Sequence, residues 1–238
     1  MHCSTRAIIF KTTRFSDSKG IAHLYTEQFG LLAFFYSLSK SRKGSQVSLF
    51  QPLNRIEIEF LYKEKNGIHN FKEVRIESVY NSIHLDIYKN TILLFINEIL
   101  HKCIKEHEAN DALYSFIHHA LSELDDREDV SNFPILFLLE LSKYLGFHPE
   151  CDSEIKEPFY FDMQNGVMTN TNPSGLFMTS YNSCIINNIL LNRAYENLLT
   201  NSETRRNLLN ELLMYYRLHL NSMQEIKSLK VLEEILHS

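Results

Sequence analysis

The sequence predicts an α+β fold: a small barrel of five strands in residues 1–80, followed by an all-α domain of about six helices in residues 81–238. Three observations carry this expectation. Apolar residues recur with period two before residue 80 and with the helical period after it. Four of the seven glycines, Gly20, Gly30, Gly44 and Gly67, fall in the first 67 residues between short apolar runs, where they act as turn punctuation. Charge divides at the same point. Residues 1–80 hold 12 Lys and Arg against 7 Asp and Glu, whereas residues 81–238 hold 12 against 22. The whole-chain charge of −5 therefore hides a basic part suited to a polyanion.

The strand candidates, rich in Ile, Phe, Tyr and Val, are 7–10, 21–26, 31–38, 53–61 and 71–79. Alternation is clearest where Arg55, Glu57 and Glu59 interleave with Ile56, Ile58 and Phe60. Asn66 and Gly67 read as a hairpin turn, since both tolerate positive φ. Five short strands suit closure into a barrel, which removes exposed edges.

Beyond residue 80, Tyr88, Ile92, Phe95, Ile99 and Cys103 form one stripe of a long helix, and Leu113, Ile117, Ala120 and Leu124 repeat the pattern behind a start at Asn110 or Asp111. A third helix is expected to begin at Ser131 or Asn132 with Pro134 in its first turn, and to end at Gly146. Its interior, Ile135 to Leu139, is apolar nearly all round, which predicts the most buried helix. Residues 149–181 read as an irregular loop holding three of the five prolines. Three helices then close the chain. Leu208, Leu209, Leu212, Leu213 and Tyr216 stripe the middle one, and Ser222 with Glu225 forms a capping box expected to start the last.

At 238 residues and 44% hydrophobic, the chain can bury a proper core. No apolar run approaches the ~18–20 residues of a membrane span, and the opening apolar stretch is too short for a signal peptide, so a cytoplasmic protein with no membrane association is expected. Four scattered cysteines, Cys3, Cys103, Cys151 and Cys184, contain no C-x-x-C pair, which suggests reduced thiols.

The usual enzyme signatures, phosphate-binding glycine loops, H-E-x-x-H and G-x-S-x-G, are missing, and no catalytic residue or cofactor is expected. Cys103 and His107, close to His101 and Glu106, are two ligands at most, and Cys103 also continues an apolar stripe, so a buried thiol is the reading. His118 and His119 point roughly 100° apart on a helix, and His119 suits a surface contact with Ser115 or Glu123. Asp125, Asp126, Glu128 and Asp129 lack the spacing and glycine of a calcium loop and read as a solvated linker.

The basic N-terminal groups are stronger candidates. Lys11, Arg14, Lys19, Lys40, Arg42 and Lys43 sit around strand connections, with Phe15, Tyr25, Phe34, Phe35 and Tyr36 nearby. Small barrels bind single strands by pairing a positive groove for phosphates with aromatic faces for bases. The expected nucleic-acid contacts are those six cations with Tyr25 and Tyr36. Phe34 and Tyr36 share one strand face and Phe35 takes the other, so only one set is free to stack.

At this point a resemblance enters. Ala7-Ile-Ile-Phe-Lys-Thr-Thr-Arg14, Leu24-Tyr-Thr-Glu-Gln-Phe-Gly30 and Lys40-Ser-Arg-Lys-Gly44 leading to Leu49-Phe-Gln-Pro-Leu53 resemble the amino-terminal domain of the RecO family of bacterial DNA repair proteins. Phe137-Leu-Leu-Glu-Leu-Ser-Lys-Tyr-Leu-Gly-Phe-His-Pro149, Tyr215-Tyr-Arg-Leu-His-Leu220 and then Lys227 and Ser228 agree in order, so the likeness spans essentially the full length. It implies an OB-fold, a helical carboxy-terminal domain and a recombination mediator in DNA-damage repair without catalytic turnover. Such proteins bind single- and double-stranded DNA and anneal complementary strands. With RecR they load RecA onto strands coated by single-stranded-DNA-binding protein, whose acidic tail they recognise. Arg193, Arg205, Arg206 and Arg217 are the cations available for that tail. Many members carry a four-cysteine zinc module. Here Cys151 stands at its first position, but Glu154 takes the C-x-x-C position, so no zinc is expected. The competing readings are a protein-interaction module that touches no nucleic acid and a metal-dependent hydrolase.

Overall fold

A computed structural model of the chain describes residues 1–38, 48–62, 67–105, 108–171, 175–199, 201–223 and 225–236. They form two compact units, Met1–Glu128 and Asp129–Ser238.

The first unit is built on five strands, β1 (His2–Arg14), β2 (Lys19–Thr26), β3 (Gly30–Ser37), β4 (Arg55–Leu61) and β5 (Ile68–Ser78). They close into a barrel in the order β1-β2-β3-β5-β4. All pairs are antiparallel except β3 with β5, which runs parallel from Ala33 opposite Ile68 to Phe35 opposite Asn70. The five strand candidates are therefore all strands, and Asn66 of the expected hairpin lies outside the described residues.

Alternation fills the barrel from one side of each strand. Ala7, Ile9, Ala22, Leu24, Phe34, Tyr36, Ile56, Ile58 and Phe60 make its interior. At one end Tyr36 lies so close to Gly20 that a Cβ on Gly20 would fall 2.5 Å from Tyr36 Cζ; only glycine admits the ring. Ile8, Phe10 and Tyr25 are as buried but belong to the outer surface. Phe10 stacks on Tyr25 at 5.4 Å, and Tyr25 meets Tyr114 at 6.2 Å, so helices cover this half of the barrel.

Those helices are α1 (Ile87–Cys103) and α2 (Asp111–Asp126). Asp86 caps α1 by accepting from the N–H groups of Tyr88 and Lys89, and Asn110 caps α2 through Leu113 N–H. Compactness thus groups two helices with the barrel, whereas the change from strand to helix falls between Ser78 and Ile87. The expected solvated linker needs correcting at Asp125. This residue is buried at the end of α2 and accepts from the N–H groups of Asn81, Ser82 and Ile83 at 2.8, 2.9 and 3.0 Å. Lys89 Nζ completes the clasp by donating to Ser82 Oγ and the Asp125 carbonyl.

The second unit holds α3 (Phe133–Leu145), α4 (Ser180–Leu190), α5 (Ser202–His219) and α6 (Ser228–Leu236). Gly146 ends α3 at φ 83°, and eight of the 13 helix residues are buried. The 149–181 stretch is more regular than expected. Tyr160–Asp162 (β6) and Val167–Thr169 (β7) form a hairpin over the turn at Asn165 and Gly166. The capping-box expectation also needs correcting. Asn221–Met223 is a 3-10 turn and α6 starts at Ser228.

Candidate nucleic-acid interface

The half of the outer barrel surface that α1 and α2 leave open is shaped by one irregularity. In β1 the pairing with β2 slips between Ile9 and Lys11. Ile9 faces in opposite Leu24, whereas Lys11 pairs with His23 and faces out. Such a bulge re-aims side chains. Without it Lys11, two residues after Ile9, would continue the inward row. Beyond the bulge, Thr13 lies opposite Ile21 and Ile21 opposite Phe35, so Lys11, His23 and Phe35 share one outer surface.

At the far end of this surface the two strands turn through Phe15 and Lys19. Phe15 is 60% exposed and meets Phe35 edge-on at 5.2 Å, and Lys19 Nζ lies 5.6 Å from the Phe35 ring centroid. Arg14 is exposed and paired with Asp17 at 2.7 Å, a contact weak enough in water for a phosphate to compete with. Lys11 and Lys19 thus lie on the outward row of β1 and β2, and Arg14, opposite Gly20, stands at the end of the barrel.

The aromatic expectation is corrected. Tyr25 is 1% exposed and Tyr36 9%; Tyr25 is held between Phe10 and Tyr114, and Tyr36 fills the barrel end against Phe50 at 4.4 Å. Neither offers a face to a base. The exposed ring is that of Phe15, and the half-buried Phe35 faces outward beside it, because Phe34 and Tyr36 took the interior. Lys40, Arg42 and Lys43 lie outside the described residues.

At the carboxyl end of α1 the sequence suggested a buried thiol but not the basic cluster. His101, Lys102 and Lys105 gather there beside Lys11 and His23, and every charged group that acts on His101 is basic. Burial and these neighbours hold His101 down to about 4, and burial with Lys11 and Lys105 lowers His23. Cys103, half-exposed beside them, has its thiol pushed up to about 12 by burial; it is an inert neighbour rather than a nucleophile or ligand.

The opposite side of the first unit is ionic and closed on itself. Arg6 forms a two-pronged pair with Glu27 and reaches Glu77 at 3.6 Å, while His118 meets Glu77 at 3.0 Å. The Glu27 hydrogen bond raises Arg6 and the reciprocal bond lowers Glu27. Arg6 is committed to carboxylates and is a poor phosphate binder.

In the second unit the four arginines separate. Arg193 donates to the Ser153 carbonyl and Arg217 to that of Met223. Arg205 donates to the Leu199 carbonyl at 2.8 Å, and with Arg206 and Glu233 it also lines a hollow floored by Pro134, Ile135, Leu209 and Leu232, between α3, α5 and α6. A zinc module does not fit the residues present. Among the described residues no three His, Cys, Asp or Glu side chains converge as ligands; Cys151 is exposed, and Cys184, within α4, donates to Glu157. Among the described residues, no helix is long and apolar enough to cross a membrane.

Known proteins agree with this architecture. Residues 1–80 match the family described as Recombination protein O N terminal, and residues 84–230 match Recombination protein O C terminal. The chain is 38% identical to the DNA repair protein RecO of Flavobacterium johnsoniae, with 99% of each chain covered. It is 35% identical to that of Flavobacterium psychrophilum, again with 99% of each covered. To that of Phocaeicola vulgatus it is 32% identical, covering 97% of this chain and 98% of the relative.

Proposed function

Since the chain belongs to the RecO family and has a role in DNA repair, we propose that it acts as a recombination mediator that binds DNA through the open outer surface of β1, β2 and β3. The observation that carries this reading is the exposed Phe15 against the half-buried Phe35, with Lys19 over the Phe35 ring, Arg14 at the adjoining turn and Lys11 further along the outer face of β1. The cations neutralise backbone phosphates, and Phe15 and Phe35 supply faces for unstacked bases at about 1–3 kcal/mol per base. Lys40, Arg42 and Lys43 extend the basic footprint along the chain. Annealing then needs no catalytic group: two strands whose charge is screened by one protein lose much of their mutual repulsion.

The partners follow the same reading. The mediator works with RecR to load RecA, and the acidic tail of single-stranded-DNA-binding protein docks in the hollow bearing Arg205 and Arg206, whose apolar floor and two guanidinium groups, set against the single carboxylate of Glu233, suit an acidic peptide. Single-strand affinity measured at several salt concentrations tests the DNA contact. Log affinity should fall with log salt by about 0.7 for each phosphate contacted. A salt-independent or undetectable affinity would instead favour a protein-interaction module.

A further inference from the structure

The groups at the junction of the barrel and α1 are arranged for an anion, and among the described residues the carboxylates of the first unit do not provide it. Lys11 and His23 pair across β1 and β2. α1 packs on β1, its last turn puts His101 and Lys102 within electrostatic reach of that pair, and Lys105 folds back so that its ammonium donates to the His101 carbonyl. Lys102 has Glu98 at 3.9 Å; among the described residues that act on His23, His101 and Lys105, the neighbours are Lys11, Lys102, Lys105, Cys103 and each other. Both imidazoles and Lys102 are half-buried, whereas Lys11 and Lys105 are exposed at the mouth of the cluster.

Clustered cations that repel one another raise the free energy of the empty site, and a phosphate among them turns that repulsion into attraction. We infer that Lys11, His23, His101 and Lys105 form a backbone-phosphate site at the edge of the DNA surface, one that takes up protons as it binds. This rests on the DNA-binding reading above.

The sign follows from linkage. In the free protein the imidazoles lie below their ordinary value, His101 at about 4. A bound phosphate opposes the neighbouring cations and raises them, so the complex holds more protons than the separate partners and affinity rises as pH falls. Burial, the larger cause of the low His101 value, persists in the complex while the phosphate offsets the cations, so the gain falls below the about tenfold, between roughly pH 7.5 and 5.5, that full return of His101 to 6.5 would give.

The test uses the full chain and a labelled oligothymidine, with histidine ring resonances followed by NMR in parallel. Wild type should tighten measurably, by up to about tenfold, over that pH interval, and the oligonucleotide should raise the titration midpoints of His23 and His101. Lys11→Gln, at an exposed position, should lower the salt slope by about 0.7, and H23Q/H101Q should lose the pH gain. Inorganic phosphate is the second probe. Midpoints raised by the oligonucleotide, alone or together with phosphate, support the site. A response to phosphate but not to the oligonucleotide overturns the DNA assignment, and a response to neither overturns the site. If H23Q/H101Q keeps the wild-type pH gain, the imidazoles are not the proton acceptors and the inference fails. Should wild type bind no oligonucleotide at all, the DNA-binding reading fails instead, while the phosphate arm still reports on the cluster.

Discussion

In the first unit the buried polar side chains include Arg55, Lys89 and Asp125; in the second, those among the described residues are the neutral Ser142, Asn182, Ser183 and Asn187. Both units satisfy most of what they bury, but with different consequences. Asp125 accepts three backbone N–H bonds and the Ser82 hydroxyl, and Arg55 lies over the Tyr80 ring at 4.8 Å while donating to Ser122. These charges hold the segment between barrel and helices in one geometry, since a buried charge tolerates no loss of its partners. Asn187 instead bridges the N–H and carbonyl of Asp152, at 2.9 Å each, a neutral pair of bonds with no proton to exchange. The first unit therefore gains a fixed joint at the expense of sensitivity to substitution and acid, whereas the second depends on apolar packing and amides.

The sharpest way to break this contrast is Asp125→Ala. It strands the N–H groups of Asn81, Ser82 and Ile83, while Lys89 keeps its bonds to Ser82 and the backbone carbonyl of residue 125, and urea unfolding should show a loss of about 3–5 kcal/mol. The pH dependence has a definite sign. Burial pushes the Asp125 carboxyl up, the hydrogen bonds from Asn81, Ser82 and Ile83 outweigh it, and the net value lies below the ordinary 3.8. Its stabilisation is therefore present above about pH 4 and fades as pH falls through the depressed folded value. A variant with an unchanged acid-unfolding profile would remove Asp125 from the account.

Asn187→Ala should cost less, about 1–2 kcal/mol, with the same cost at pH 5 and pH 8. A marked pH dependence there would erase the distinction between the units.

The smallest effect is expected at Glu211, half-buried in the second unit. Asn182 Nδ2 donates to it at 2.7 Å and Thr179 N–H at 3.3 Å, yet burial raises its carboxyl above 4.5. Its charge is thus a cost to the fold at neutral pH, relieved as pH falls into the window just above 4.5, the opposite sign to Asp125. Glu211→Gln should change stability at pH 7 by less than about 1 kcal/mol, upward, and abolish that acid-side gain. Destabilisation at pH 7 would mean that its hydrogen bonds outweigh its desolvation.

Much of this organisation was legible in residue order. The alternation of Ile56, Ile58 and Phe60 gave β4, the stripe from Tyr88 to Cys103 gave α1, and Gly146 marked the end of α3. The hairpin of β6 and β7 had a readable signal in Asn165 and Gly166, but strands of three residues are too short for alternation to register. Ser222 and Glu225 have the right spacing for a cap, yet a favourable local motif yields when the chain must turn elsewhere to bury Met223.

The candidate site was less legible, because its membership depends on which way side chains face. The sequence alone determined the barrel, the helices, the basic amino-terminal part and the family, since these depend on local periodicity, composition and collinear motifs. Tertiary structure decided that Phe34 and Tyr36 face in while Phe35 faces out, that α2 takes the outer face of Tyr25, and that a bulge turns Lys11 toward His23 and the end of α1. Period two fixes that neighbouring residues take opposite sides. Which side is interior, and where one extra residue reverses the phase, is set only when the barrel closes and the helices pack against it.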